Sequence, residues 1–129
     1  MKKEVEIWIQ KAENDLLNIE NNLKSDTIPF DTICFHCQQV AEKYLKAFLV
    51  GNNIEFPKTH DLVEIIENCC INIIPAFKDI KQEAAILSDY GVTPRYPDEY
   101  FEPTESDANE AYQATLKIKE FVLSVLANE

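Results

Sequence analysis

Apolar residues recur along the chain at intervals of three and four, the spacing that gathers them on one side of an α-helix. Val5, Trp8, Ile9, Ala12, Leu16, Ile19 and Leu23 draw the first stripe, over about five turns. It weakens at Asn21-Asn22 and Lys24-Ser25-Asp26. Pro29 then suits the first turn of a second helix, where a missing N–H costs nothing. That helix carries Ile33, Cys37, Val40, Ala41, Tyr44, Leu45, Phe48 and Leu49, and Gly51-Asn52-Asn53 is a suitable stop.

Three shorter stretches follow. A third helix is predicted from the segment Pro57-Lys58-Thr59-His60-Asp61-Leu62, with Thr59 or Asp61 as its cap and Asp61-x-x-Glu64 at the capping-box spacing. Its face is Leu62, Ile65, Ile66 and Cys69, and Pro75 interrupts it. Phe77, Ile80, Ala84 and Leu87 mark a fourth helix. The last begins at Thr104 with Ser106-Asp107 in its first turn, where the helix dipole favours acid. Its stripe is Ala108, Ala111, Thr115, Ile118, Val122 and Val125. All five stretches are helical, so the fold class is all-α.

Residues 91–103, between the fourth and fifth helices, hold three of the six prolines. Loops of this length are uncommon in a compact domain and often functional. This one contains Arg95, the only arginine, with Tyr96, Tyr100 and Phe101, and its aromatics call for packing against the bundle or a partner.

Composition narrows the function. At 129 residues the chain suits a single domain, 1–129, and its 46% hydrophobic content argues against disorder. Two glycines are too few for a turn-rich β-sandwich or barrel. The formal net charge of −11 repels a nucleic-acid backbone, which argues against stable DNA or RNA binding, while a local basic patch can still hold one nucleotide. No apolar run approaches the roughly 20 residues of a bilayer span. The first residues are too polar for a signal peptide, so a cytoplasmic location is expected. There Cys34, Cys37, Cys69 and Cys70 are expected as free, largely buried thiols; their spacing does not match paired zinc knuckles, and no metal is expected.

Candidate chemistry is sparse. Gln39, Lys43 and Lys46 follow the i, i+4, i+7 spacing and share a face, which reads either as an ordinary solvated surface or as a cationic strip for a nucleotide phosphate. Glu42 is placed to pair with Lys46 at i+4. His60, at a helix start, reads as an anion-binding donor or as a residue that fixes the entry of the third helix. Arg95 in Pro94-Arg95-Tyr96-Pro97 has a fork suited to carboxylate or phosphate, and pairing with Asp89, Asp98 or Glu99 is its structural alternative. No P-loop, dinucleotide-binding glycine motif, zinc-protease motif or nucleophile elbow is present.

Taken in order, these segments resemble the HEPN (higher eukaryotes and prokaryotes nucleotide-binding) domain family, in the bacterial and archaeal branch associated with minimal nucleotidyltransferases. The likeness rests on Trp8, Ala12 and Asp15-Leu16, then Cys37-Gln38-Gln39-Val40-Ala41-Glu42-Lys43-Tyr44-Leu45-Lys46-Ala47. Thr59-His60-Asp61-Leu62, Arg95-Tyr96-Pro97-Asp98 and Asp107-Ala108 complete it. The resemblance implies an up-and-down helical bundle of four main helices plus a short additional one, assembled as a homodimer. It also implies nucleotide binding, or partnership with a nucleotidyltransferase in a toxin–antitoxin-like pair, with a site drawing on Lys43, Lys46, His60, Arg95 and Tyr96.

Ribonucleases of the family use an arginine followed four to six residues later by a histidine. Here both histidines, 36 and 60, precede Arg95, so a non-catalytic role is the leading expectation and no catalytic residue or cofactor beyond a nucleotide ligand is assigned. The alternatives are a divergent ribonuclease with a composite site across a dimer, built from His60 and Arg95, and a purely structural helical adaptor.

Overall fold

Where the stripes run, helices form. The structure is a computed structural model and describes residues 2–90 and 102–128. Its helices are α1 (Lys3–Leu23), α2 (Phe30–Gly51), α3 (Leu62–Ile65), α4 (Lys81–Ser88) and α5 (Glu105–Ala127), arranged as an all-α bundle with no strand among the described residues. α1 packs along α2, α2 along α5, and α4 against α5, with α3 lying on α4.

α2 is the enclosed member. Every residue of its predicted stripe is buried, and Cys34, Gln38, Glu42 and Ala47 are buried as well. The extra burial follows from contact with α1, α5 and α4 together, which leaves α2 little surface. The Phe77 ring joins the helices at one end, lying 4.6 Å from Phe48 of α2 and 4.9 Å from Phe121 of α5 between ring centres. Polar ties cross the bundle as well. Glu13 of α1 accepts from the Tyr44 hydroxyl at 2.7 Å and from Lys119 of α5 at 3.0 Å, and Glu20 accepts from Tyr112 at 2.6 Å.

The ends of the helices follow local chemistry. Thr104 and Asp107 form a reciprocal capping box, each side chain accepting from the other's backbone N–H. Asp61 caps α3 by accepting from Val63 and Glu64. At the end of α2 the left-handed residue is Asn53 (φ 59°), while Gly51 is still helical. Asparagine tolerates that region better than most side chains.

The third helix differs from the sequence expectation. After one α-helical turn it widens into a π turn over Ile66–Cys70, closed by the Ile71 N–H donating to the Ile66 carbonyl at 2.9 Å. Pro75 then opens a 3-10 segment, Pro75–Ile80, which runs directly into α4. A proline is welcome there because its absent N–H would have no helical acceptor.

Cys34, Cys37 and Cys70 lie in the core and Cys69 is half-buried. Burial pushes the Cys34 thiol up to about 11 and those of Cys37 and Cys70 up to about 12. Among the described residues no group of three or more His, Cys, Asp or Glu is placed to hold a metal ion.

The reactive form of cysteine is the thiolate. One thiol, Cys69, is therefore expected to react with Ellman's reagent in the native protein, and the other three only in denaturant. Four equal rates without denaturant would contradict this packing. The same burial sets an alkaline limit. An unfolded thiol loses its proton near 9, whereas the folded ones hold theirs to about 11 and 12. The unfolded chain thus binds fewer protons across that interval, and stability present below pH 9 is lost as pH rises toward 12. Urea midpoints at pH 8, 9, 10 and 11 are expected to decline, and replacing Cys37 with alanine should make the decline shallower.

Candidate functional site

The polar strip of α2 faces a groove of about 400 Å³ between α1 and α2. Gln39, Lys43 and Lys46, together with Glu42, form one wall; Trp8, Lys11, Asn14 and Asp15 form the other. The two walls mirror each other in sequence. On α1 the spacing Trp8, Lys11, Asp15 is i, i+3, i+7, and on α2 it is i, i+4, i+7, so each helix presents one line of side chains to the groove.

Lys43 pairs with Asp15 across the groove. Lys46 meets two rings, its ammonium group 4.8 Å from the centre of Trp8 and 4.5 Å from that of Phe56. Lys11 lies 5.3 Å from the same Trp8 ring centre. Such contacts contribute roughly 0.5–1 kcal/mol each where partly exposed.

The i+4 partnership expected between Glu42 and Lys46 is replaced by a longer one. Glu42 bonds to His60, with Oε1 2.7 Å from Nδ1. Its side chain is only 5% exposed and that of His60 is 66% exposed. Glu42 points inward from α2, where the fixed imidazole can reach it and a flexible surface ammonium group would have to be desolvated. A carboxylate only accepts, so the imidazole donates through Nδ1 and Nε2 is the nitrogen left for a second partner. The backbone of His60 is held too: Gln38, fully buried, donates to the His60 carbonyl at 3.0 Å and accepts from Gln39 at 2.7 Å. His60 therefore does fix the segment entering α3, and its ring stands beside the groove through Glu42.

Of the five residues singled out in the sequence, Lys43 and Lys46 line the groove and His60 joins it through Glu42. Arg95 and Tyr96 lie outside the described residues. Lys11 and Asp15 were not singled out as groove residues, although their three-and-four spacing from Trp8 was the available signal. Trp8, assigned to the apolar stripe, turns out half-buried at the groove.

Removing the imidazole with His60→Ala leaves a buried carboxylate without its donor, which is expected to cost about 1–3 kcal/mol in urea denaturation. Glu42→Gln in that background should recover part of the loss, since a neutral amide is easier to bury. An unchanged midpoint for His60→Ala would show that the pair contributes nothing to stability.

Sequence and structure comparisons agree on the relationship. The HEPN domain family matches residues 5–125. The protein named "Putative toxin MJ1304" from Methanocaldococcus jannaschii is 30% identical over 141 aligned residues, spanning 96% of this chain and 86% of that protein. The crystal structure of ST0689, an archaeal HEPN homologue, superimposes with a TM-score of 0.73 at 33% identity, covering 96% of this chain and 98% of the other. With most of its length matched in sequence and fold, the chain belongs to the HEPN domain family.

Proposed function

We propose that this HEPN protein acts in a toxin–antitoxin-like pair, as a non-catalytic homodimer that binds a nucleotide in the α1–α2 groove and works with a nucleotidyltransferase. The observation that carries the reading is the convergence of Lys11, Lys43 and Lys46 beside Trp8 in a chain whose net charge is −11. Cationic side chains collected in one concave place on an acidic protein favour a compact anion over an extended polyanion. The name of the Methanocaldococcus relative supports a toxin-like role. The non-catalytic part rests on the order of residues, because no histidine follows Arg95. Arg95 and Tyr96 complete the proposed site from the 91–103 segment, and His60 offers Nε2 at its edge. No helix among the described residues is long and apolar enough to cross a membrane, and a cytoplasmic setting fits such a pair.

The Glu42–His60 pair favours a second reading. A buried carboxylate that orients an exposed imidazole is the arrangement used for general acid–base work. A divergent ribonuclease combining His60 and Arg95 across a dimer would use it.

A tagged pull-down from native cells, with mass spectrometry and light scattering of the eluate, tests the leading reading. Recovery of a nucleotidyltransferase at fixed stoichiometry is expected, together with calorimetric binding of ATP that Arg95→Ala weakens without loss of helix content. A homodimer with no companion and no nucleotide affinity would refute it. Cleavage of labelled RNA that disappears with His60→Ala would establish the second reading instead.

A further inference from the structure

We infer that the α1–α2 groove recognises the oligophosphate chain of its ligand, through Lys11 and Lys46, and not the base. This rests on the nucleotide-binding reading above and narrows it to one part of the ligand.

The lysines are held in two different ways. Lys43, Lys81, Lys117 and Lys119 are each paired with a carboxylate, those of Asp15, Glu67, Glu83 and Glu13 respectively. Lys46 and Lys11 are different. Their ammonium groups meet the rings of Trp8 and Phe56, and neither pairs with a carboxylate among the described residues. An ammonium group beside a carboxylate presents almost no net charge to a third group. Over an aromatic face it is positioned just as well and keeps its whole charge. The rings thus act as neutral seats that hold two cations ready.

The acids of the groove do not cancel this charge. Of its two carboxylates, Asp15 is engaged by Lys43 and Glu42 is turned to His60. Lys11 and Lys46 both approach the ring of Trp8, which gathers both ammonium groups around one point of the groove wall. A point-charge donor such as lysine suits phosphate without demanding one fixed angle.

The same contacts argue against base recognition. A base would stack on an open aromatic face, but Trp8 has two ammonium groups within 5.3 Å of its centre, and Phe56 has one at 4.5 Å. The groove contains amides, Asn14 and Gln39, yet Gln39 is already donating to Gln38.

Trp8 is the only tryptophan, so its emission reports any displacement of Lys11 or Lys46. The full chain is titrated with sodium tripolyphosphate, ATP and adenosine at fixed ionic strength, by fluorescence and by calorimetry. Tripolyphosphate and ATP are expected to bind within about fivefold of each other, with adenosine at least tenfold weaker, as charge-dominated recognition requires. Lys11→Gln and Lys46→Gln should each weaken both phosphate ligands by roughly threefold to tenfold. Lys117→Gln, on the α4–α5 side, should leave both unchanged. Lys11 is exposed, so its substitution gives a reading independent of core packing.

Binding of ATP that tripolyphosphate cannot displace, or adenosine binding as well as ATP, would overturn this inference while leaving the nucleotide reading in place. Affinity unchanged in both lysine variants would move the ligand out of the groove and also overturn it. No binding by any of the three compounds would overturn both.

Discussion

The enclosure of α2 is the constraint on which the rest of the molecule depends. A helix packed by α1, α5 and α4 must bury apolar atoms around most of its circumference, and its polar residues are left a narrow strip. Each member of that strip or its margin is therefore answered by a definite neighbour. Gln38 serves the His60 backbone, Glu42 the His60 ring, Lys43 the Asp15 carboxylate and Lys46 two aromatic rings. The groove is a consequence of the packing, since it lies where the strip emerges along the seam with α1.

Much of this was legible in the sequence, because periodicity and caps are local properties. The α2 stripe is buried without exception, Asp61 and Thr104 cap the helices they precede, and the Gln39, Lys43, Lys46 spacing places all three on one wall. What escaped was long-range. The i+4 rule offers Lys46 to Glu42, yet tertiary burial gave Glu42 to a histidine 18 residues away. Lys11 and Asp15 of α1 gain meaning only when α2 lies opposite them. The π turn at Ile66–Cys70 leaves no mark in apolar spacing, which reads a widened turn as a helix about to end. Arg95 and Tyr96 fall outside the described residues, so the part proposed for them rests on sequence alone.

Membership of the HEPN family and the local geometry bear on different questions. Family membership accounts for the bundle. On the proposed reading, the groove is what would let an acidic protein attract an anion: Asp15 and Glu42 are engaged by Lys43 and His60, so the ammonium groups of Lys11 and Lys46 set the local field while the net charge of the chain stays negative. Such a field favours small ligands that enter the concavity over polymers that must also lie along the acidic exterior.

Glu13 has a further consequence. Two apolar stripes can pack in more than one way, since sliding one helix along the other by a turn, about 5.4 Å, presents a similar pattern of side chains. Glu13 accepts from Tyr44 and Lys119 together, and Glu20 accepts from Tyr112. A slide by one turn would separate these partners, and with them Asp15 from Lys43. The ties act as a vernier: the apolar seam supplies adhesion, and a few carboxylates choose which graduation of α1 stands against which graduation of α2 and α5.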